Sequence, residues 1–575
     1  MDTQSRVQQL LQHWRFVFVL LVFLGVVLAI AARLVNLHVF DRQFLESQGD
    51  VRTIHKEQIE AHRGMITDRN GEPLAVSAPV FTIWADPSRV PLDHPQFDEL
   101  ARLLETTPAE LRRRFEKRAS RQFMYLKRKI QPAHRQAFMA LNIPGIDSRR
   151  EYRRFYPAGE VAAHVVGFNN IDERGLEGIE LAYQDWLSGV PGEKLVLKDL
   201  KGRTIKDLAL KQAARPGNNL TLSIDLRLQY LAYRELKAAV QGHGARGGTL
   251  VMLDVRTGEV LAMVNQQSYN PNDRSSMTPG RQGLRNKAIT DVFEPGSTMK
   301  PLTVALALES GHFEPDSVID TSPGFRRYGR FTIRDHRNYG PLTLTDIIVK
   351  SSNVGSSHIA DALGGEAIRD FFAKLGIGQS TGIGFPGEAS GVLPVHTRWR
   401  PVEEATLSYG YGMSVNALQL AQAYMVLANG GLRYPLNLTK QETPPVGERV
   451  LSRKVAAEVR EMLHQVVVRG TGKRGQPGFY SAGGKTGTVH LVGKQGYEDS
   501  EYKAVFAGMA PIDSPRIVTV VAVDAPSGGE YYGGEVAAPV FARVMTDALR
   551  LLNVKPETIE TQQADRAGQP NGGRG

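Results

Sequence analysis

The chain is predicted to be an α+β protein: a single N-terminal transmembrane helix, a mixed α/β pedestal, and a larger domain in which helices flank an antiparallel sheet. Three features of the sequence lead there. Residues 16–32 form an unbroken uncharged run of 17 apolar residues, just long enough to cross a hydrocarbon core. Strand-like runs lie at both ends of the stretch after residue 217, with helical periodicity between them. The segment between the apolar run and residue 217 is irregular, with short strands, a charged helical stretch and Gly/Pro turns. With 575 residues, 42% apolar and no cysteine, the chain is neither a disulfide-stapled mini-protein nor a disordered one.

The elements follow in order. Arg6 and Arg15 precede the apolar run and only Asp2 opposes them, so the positive-inside rule puts residues 1–15 in the cytoplasm and the rest outside, as a periplasm would require. The Ala29-Ile30-Ala31 triplet permits signal-peptide cleavage, but the run exceeds a usual signal core. An uncleaved anchor over 16–35 is expected. The pedestal occupies 50–216, with a strand at 80–84 and charged helical character at 97–141. A turn at Pro216-Gly217-Asn218-Asn219 marks the boundary. The second domain, 217–555, opens with a strand at 220–225 and a helix at 226–240. Strands are expected at 249–255 and 259–264 as a hairpin, then at 504–510 and 516–524, with helices at 417–428 and 456–468. The polar, Gly-rich tail 559–575 is expected to be disordered.

The net charge of +10 would ordinarily point to nucleic acid. Residues 112–154, however, carry 14 Lys+Arg against Glu116, Asp147 and Glu151. That one stretch holds the whole excess, and it lies outside the cytoplasm, so no nucleic-acid partner is expected. A solvated helix face explains it, with docking to an anionic lipid, a wall polymer or an acidic partner as the sharper alternative.

Chemistry begins at Phe293-Glu294-Pro295-Gly296-Ser297-Thr298-Met299-Lys300, followed by an apolar helix over 301–308. Ser297 then sits at the positive end of a helix, with Lys300 on the same face one turn later. A lysine whose pKa is depressed by burial and a second cation is a base. Alone, S-x-x-K is expected about twice by chance in such a chain. Ser500-Glu501-Tyr502-Lys503 is a second match, assigned to a polar loop. Next comes Ser351-Ser352-Asn353 between two helical runs, where a hydroxyl and a carboxamide two apart face a cleft. Ser268/Asn270 and Ser414/Asn416 repeat that spacing but precede the nucleophile or open a helix. Gly483-Gly484-Lys485-Thr486-Gly487-Thr488 is strand-like, with glycines that admit a ligand backbone and a cation and hydroxyls suited to a carboxylate.

The order S-x-x-K, S-x-N, K-T-G within one domain resembles the penicillin-recognising serine acyl transferases. The stretch Arg63 to Gly71 (RGMITDRNG), Arg154-Phe155-Tyr156-Pro157, Gly175 to Glu180 (GLEGIE), Tyr409-Gly410-Tyr411-Gly412 and Tyr531-Tyr532-Gly533-Gly534 extend the resemblance to class B penicillin-binding proteins, the septal transpeptidases above all. It implies a serine transpeptidase/β-lactamase-like domain that needs no cofactor and no metal. Ser297 would attack the D-Ala-D-Ala carbonyl of a peptidoglycan stem peptide and Lys300 would take its proton. Ser351 would relay that proton and Asn353 would orient Lys300 and the substrate. Lys485 would hold the substrate carboxylate and keep Lys300 neutral, with Thr486, Gly487, Thr488 and Tyr411 completing the substrate site. Implied partners are β-lactam antibiotics, a SEDS-family membrane glycosyltransferase, other divisome proteins and the inner membrane. A penicillin hydrolase or sensor would need a base such as Glu404 in Glu404-Ala405-Thr406-Leu407-Ser408; a conditional paralogue acting as a scaffold is the other rival. Val489-His490-Leu491 departs from the small and basic residues usual in septal relatives. For His490 there are two readings, a place in the cleft lining or, as the expected one for a lone histidine beside a loop, the surface.

Overall fold

A helix exposed from Trp14 to Val35 opens the chain. The computed structural model describes residues 3–40, 54–198, 204–273, 275, 283–493 and 496–556; the tail expected to be disordered lies outside them. Helix α1 (Thr3–Val35) continues through a π-turn at Asn36–Phe40. From Trp14 to Phe40 it is long and apolar enough to cross a membrane, and none of that stretch is buried. An apolar helix without a protein partner on any side needs lipid to cover it.

The chain divides into two compact units. The smaller comprises Met1–His62, Pro79–Tyr152 and Gly189–Pro216. Ile54–Ile59, Gly192–Lys198 and Thr204–Gln212 form an antiparallel sheet with Gly192–Lys198 in the middle. The expected helical run 97–141 is corrected to helix Phe97–Leu103, helix α2 (Pro108–Glu116), strand Met124–Ile130 and helix Pro132–Ala140. The breaks have local causes. Pro108 sits at the first position of α2 behind Thr107, whose hydroxyl accepts from the Glu110 N–H at 3.2 Å. Met124, Leu126 and Ile130 point into a core with Ile83, Phe97, Leu100, Leu111, Phe115 and Phe138 while Tyr125 points out, an alternation that only a strand gives.

The larger unit comprises Arg63–Ala78, Arg153–Ser188 and Gly217–Gly575. Arg63 and Arg154 both clasp Glu180, with Nε to Oε2 at 2.5 Å and Nε to Oε1 at 2.6 Å, all three buried. Three separate sequence motifs thus meet in one buried charge cluster. Removing the shared carboxylate leaves two guanidinium groups uncompensated away from water. Glu180→Ala is therefore expected to lower unfolding stability by about 3–5 kcal/mol, read as the midpoint of denaturant unfolding.

The sheet of this unit has strands β1 (Gly247–Asp254), β2 (Val260–Gln266), β3 (Gly483–Gly493), β4 (Gly496–Ala510) and β5 (Ile517–Asp524) in the order β2-β1-β5-β4-β3, antiparallel throughout. Both faces are covered. Leu250, Met252, Phe506 and Val521 meet helices α3 (Leu226–Gly242) and α9 (Ala538–Leu551). Val251, Val505, Val520 and Ala522 meet α4 (Lys300–Glu309), α7 (Ala417–Ala428) and α8 (Arg453–Arg469). All residues of α7 are buried, as a helix inside a layered core must be. Between α4 and α7 lie α5 (Leu344–Lys350) and α6 (Asn353–Leu363). Two sequence expectations are corrected here. The strand at 220–225 shrinks to Leu220–Thr221, because Asp225 instead caps α3, accepting from the Arg227 N–H at 3.0 Å. The second S-x-x-K match belongs to strand β4 and not to a loop: Lys503 pairs across to Asp524 on β5.

Candidate active site

Ser297 stands on a 3₁₀ turn, Gly296–Met299, and the α-helix proper starts at Lys300. This differs from the expected placement on the first turn of an α-helix. Gly296 is the reason: its φ is +56°, and a Cβ there would meet Val489 Cγ1 at 2.4 Å. A residue with positive φ must open the turn, and only glycine fits. The turn is then pinned from three sides. The Gly296 N–H donates to Gly410 O at 3.1 Å, the Tyr424 hydroxyl donates to Thr298 O at 2.7 Å, and Phe293 and Val415 exchange backbone bonds at 2.9 Å. Gly410 is itself constrained, since a Cβ there would come within 2.4 Å of Gly296 O. Ser297 is half-buried, and its hydroxyl is committed to no hydrogen bond among the described residues.

Beneath it lie two fully buried lysines. Lys300 Nζ donates to Ser351 O at 2.6 Å and to Asn353 Oδ1 at 2.7 Å, with Ser351 Oγ at 3.2 Å. Lys485 Nζ reaches the same Ser351 Oγ at 3.1 Å and Thr486 O at 3.2 Å. Ser351 Oγ therefore bridges the two amines. Burial pushes Lys300 well below the ordinary lysine range; the Lys485 charge pushes the same way and Asp335 opposes. Burial brings Lys485 down to about 7. Desolvation, more than like-charge repulsion, thus favours the neutral form of Lys300. A neutral amine has two N–H bonds, which Ser351 O and Asn353 Oδ1 absorb, and one lone pair left to take a proton.

The turn that presents Ser351 is unusual and explicitly supported. Ser351 ends α5 with φ +60°, and Ser352 caps α6, its Oγ accepting from the Gly355 N–H at 2.8 Å. Asp335, which the sequence did not single out, ties the turn down. Its Oδ2 accepts from Ser352 Oγ at 2.6 Å, and its Oδ1 accepts from the N–H groups of Asn353 at 2.6 Å and Val354 at 3.1 Å. The Asn353 carboxamide is fixed at its other end by Nδ2 donating to Arg334 O at 3.1 Å. No motif announces this acid, since it meets the turn only in three dimensions. Asp335→Asn exchanges one acceptor for a donor, facing either the Ser352 hydroxyl or the Asn353 and Val354 N–H groups. It is expected to slow acylation of Ser297 by about 10–100-fold while binding of the unreacted ligand changes little, a split that stopped-flow acylation kinetics resolves.

Strand β3 forms the opposite wall. Its period of two sends Thr486, Thr488 and His490 to the cleft, whereas Lys485 and Val489 are buried. Thr486 and Thr471 hydroxyls are 2.8 Å apart, and Thr488 Oγ1 accepts from the Gly533 N–H at 3.0 Å. The glycines do not make room for a ligand as expected. A Cβ on Gly487 would sit 3.1 Å from Pro295 O, and one on Gly484 would sit 2.5 Å from the Phe506 ring. They let the strand close on the Ser297 turn and on its own sheet. Being at the edge, β3 leaves every second backbone N–H without a strand partner.

The resulting cleft has a volume of about 910 Å³ and is lined by Ser297, Ser351, Asn353, Tyr411, Thr486 and Thr488 among others. Lys300, Lys485 and Gly487 are set behind that surface. Tyr409 stacks edge-on to Tyr411 and lies 5.7 Å from Lys300 Nζ. His490, expected at the surface, lines the cleft and contacts Tyr502 at 4.5 Å between ring centroids. Glu404 does not line it.

Residues 248–546 match the family model described as "Penicillin binding protein transpeptidase domain", and residues 58–222 match "Penicillin-binding Protein dimerisation domain". The chain is 41% identical to peptidoglycan D,D-transpeptidase FtsI of Escherichia coli K12 over 98% of this chain and 96% of that protein. It is 38% identical to the probable peptidoglycan D,D-transpeptidase PbpC of Pseudomonas aeruginosa, over 98% and 99% respectively. Among solved structures it is similar to penicillin-binding protein 3 of Mycobacterium tuberculosis in complex with aztreonam, with TM-score 0.67 and 28% identity over 87% of this chain and 98% of that one.

Proposed function

Because the chain belongs to the penicillin-binding protein family, as a class B transpeptidase of the penicillin-binding protein 3 type, we propose that it cross-links peptidoglycan stem peptides in septal wall synthesis. The observation that carries this reading is the arrangement of Ser297 on a rigid turn above Lys300 and Lys485, two buried amines joined through Ser351 Oγ. Ser297 Oγ attacks the penultimate D-Ala carbonyl and its proton passes to the Lys300 lone pair. The oxyanion is held by the N–H groups of Ser297 and Thr488, a device that supplies several kcal/mol. As the C–N bond breaks, Ser351 Oγ delivers a proton to the departing D-Ala nitrogen. The amine of a second stem peptide then attacks the Ser297 ester, losing its proton by the reverse relay, and Ser297 is restored. Protonated Lys485 attracts the substrate carboxylate through the wall formed by Thr486 and Thr488, and Tyr411 borders the donor peptide. We take 50–216 as the non-catalytic pedestal and 217–555 as the transpeptidase domain, with the pedestal segments Arg63–Ala78 and Arg153–Ser188 belonging to the larger compact unit.

β-Lactams would acylate the same serine, as amide mimics of the substrate. The N-terminal helix anchors the protein in the inner membrane with the larger unit in the periplasm, beside a SEDS-family glycosyltransferase and other divisome proteins. The absence of Glu404 from the cleft lining weighs against a hydrolase, which needs a base for deacylation. Mass spectrometry of the protein incubated with benzylpenicillin tests the reading. A persistent adduct on the peptide containing Ser297 is the expected result, and rapid turnover to free penicilloate with no adduct would overturn it.

A further inference from the structure

The cationic excess of the sequence resolves into paired and unpaired groups. Arg112 pairs with Asp98 at 3.4 Å, Lys127 with Glu105 at 2.6 Å, and Arg149 with Glu60 at 2.7 Å. Those side chains are a self-neutralising surface. Between residues 113 and 121 the situation differs. Arg113, Arg114, Lys117, Arg118 and Arg121 fall on the last turn of α2 and the segment after it, opposed in sequence only by Glu116. Among the described residues none of the five has an ion-pair partner. Immediately after them Phe123 and Tyr125 are 44% and 40% exposed. Phe123 stacks on Trp84 at 5.3 Å and meets Tyr125 edge-on at 4.8 Å, and the Arg128 guanidinium lies 4.7 Å from the Tyr125 ring. A solvated helix face needs the charges but not the exposed rings beside them.

We propose that this cationic and aromatic surface, residues 113–125, docks on an anionic phospholipid bilayer. Cations for phosphate groups and amphipathic rings for the headgroup layer are what a membrane surface recognises. The bilayer is also the standing neighbour of this unit. Residues 41–53 alone separate Phe40, at the end of the apolar helix, from Ile54, the start of the first strand, a span of at most about 50 Å when fully extended. Tethering of that length keeps the surface at high effective concentration against lipid, so modest intrinsic affinity suffices. An acidic protein segment is not tethered to this unit by the chain itself. The inference is independent of the transpeptidase reading.

The test reconstitutes the full-length protein into vesicles of phosphatidylcholine alone or of phosphatidylcholine mixed with phosphatidylglycerol, and follows amide hydrogen exchange over residues 108–130. Slower exchange at 113–125 in the anionic vesicles is expected, reversed by high salt. It is also expected to fall by at least tenfold in the Arg113→Gln, Lys117→Gln, Arg118→Gln, Arg121→Gln protein. Penicillin labelling of Ser297 in the same samples reports that each protein is folded. Exchange that is equal in both vesicle types, or that is slowed in anionic vesicles equally in the quadruple variant, would overturn the proposal. So would slowing that needs an added acidic protein rather than lipid.

Discussion

Lys300→Met is expected to lower the rate of Ser297 acylation by about 10³–10⁴-fold, measured with a fluorescent penicillin under single-turnover conditions. The magnitude is that of a positioned general base, enlarged because the same amine holds the Ser351 turn through Ser351 O and Asn353 Oδ1. Methionine keeps the volume of a fully buried side chain, so the loss reports chemistry rather than a cavity. The pH dependence follows from the same burial. Lys300 must be unprotonated to accept the serine proton, and its pKa lies well below the ordinary value. Acylation therefore rises with pH through that depressed pKa, at lower pH than an ordinary lysine base would give. An acylation rate that continued to climb toward pH 10 would place the base elsewhere. Retention of wild-type rate by the variant would remove Lys300 from the mechanism.

The second large effect concerns Lys485, for which activity and stability are expected to move in opposite directions. Lys485→Met should reduce acylation by about 10²–10³-fold, because the cation behind Thr486 and the second partner of Ser351 Oγ are both lost. The wild-type rate should also fall above about pH 7, where Lys485 loses its proton, and this alkaline limb should be absent in the variant. Since the two amines share Ser351, both limbs belong to the pair. Stability carries the opposite sign. The folded-state pKa of Lys485 is below its unfolded value of 10.5, so the unfolded chain binds more protons between about pH 7 and 10.5, and stability rises with pH across that window. At pH 7 and below the full cost of burying the amine is present. Methionine removes it, and the variant is expected to be more stable at pH 7 by on the order of a few kcal/mol, seen as a higher melting temperature. A variant less stable than wild type at pH 7 would mean that the bonds to Ser351 Oγ and Thr486 O outweigh desolvation.

Such a trade is typical of sites where reactivity needs a group held away from its preferred solvent. It also accounts for the surrounding rigidity. The Ser297 turn, the Ser351 turn and β3 are each fixed by glycine contacts or backbone bonds that leave little room to relax. Without them the amines would reach water and recover ordinary pKa values. Asp335 has a double role, since its carboxylate locks the Ser352–Val354 backbone and opposes the depression of Lys300.

The sequence by itself determined much of the local structure in which patterns are short-ranged. The anchor helix, the 249–264 hairpin, the strands at 504–510 and 516–524 and the helices at 417–428 and 456–468 are legible because burial repeats with the period of the element. The three motifs are legible because their order is improbable otherwise. The pedestal helix 97–141 was not, because Pro108, Pro132 and the alternation of Met124, Leu126 and Ile130 compete with a charged pattern that looks helical throughout. Tertiary structure alone decided the rest. Only the fold brings residues 297, 300, 335, 351, 353 and 485 together, buries both lysines so that desolvation sets their pKa values, and turns His490 into the cleft. It also separates the five cations of residues 113–121, which have no ion pair among the described residues, from those neutralised by Asp98, Glu105 and Glu60. Pairing and burial depend on which distant segments approach, and nothing in the local pattern of a chain encodes that distance.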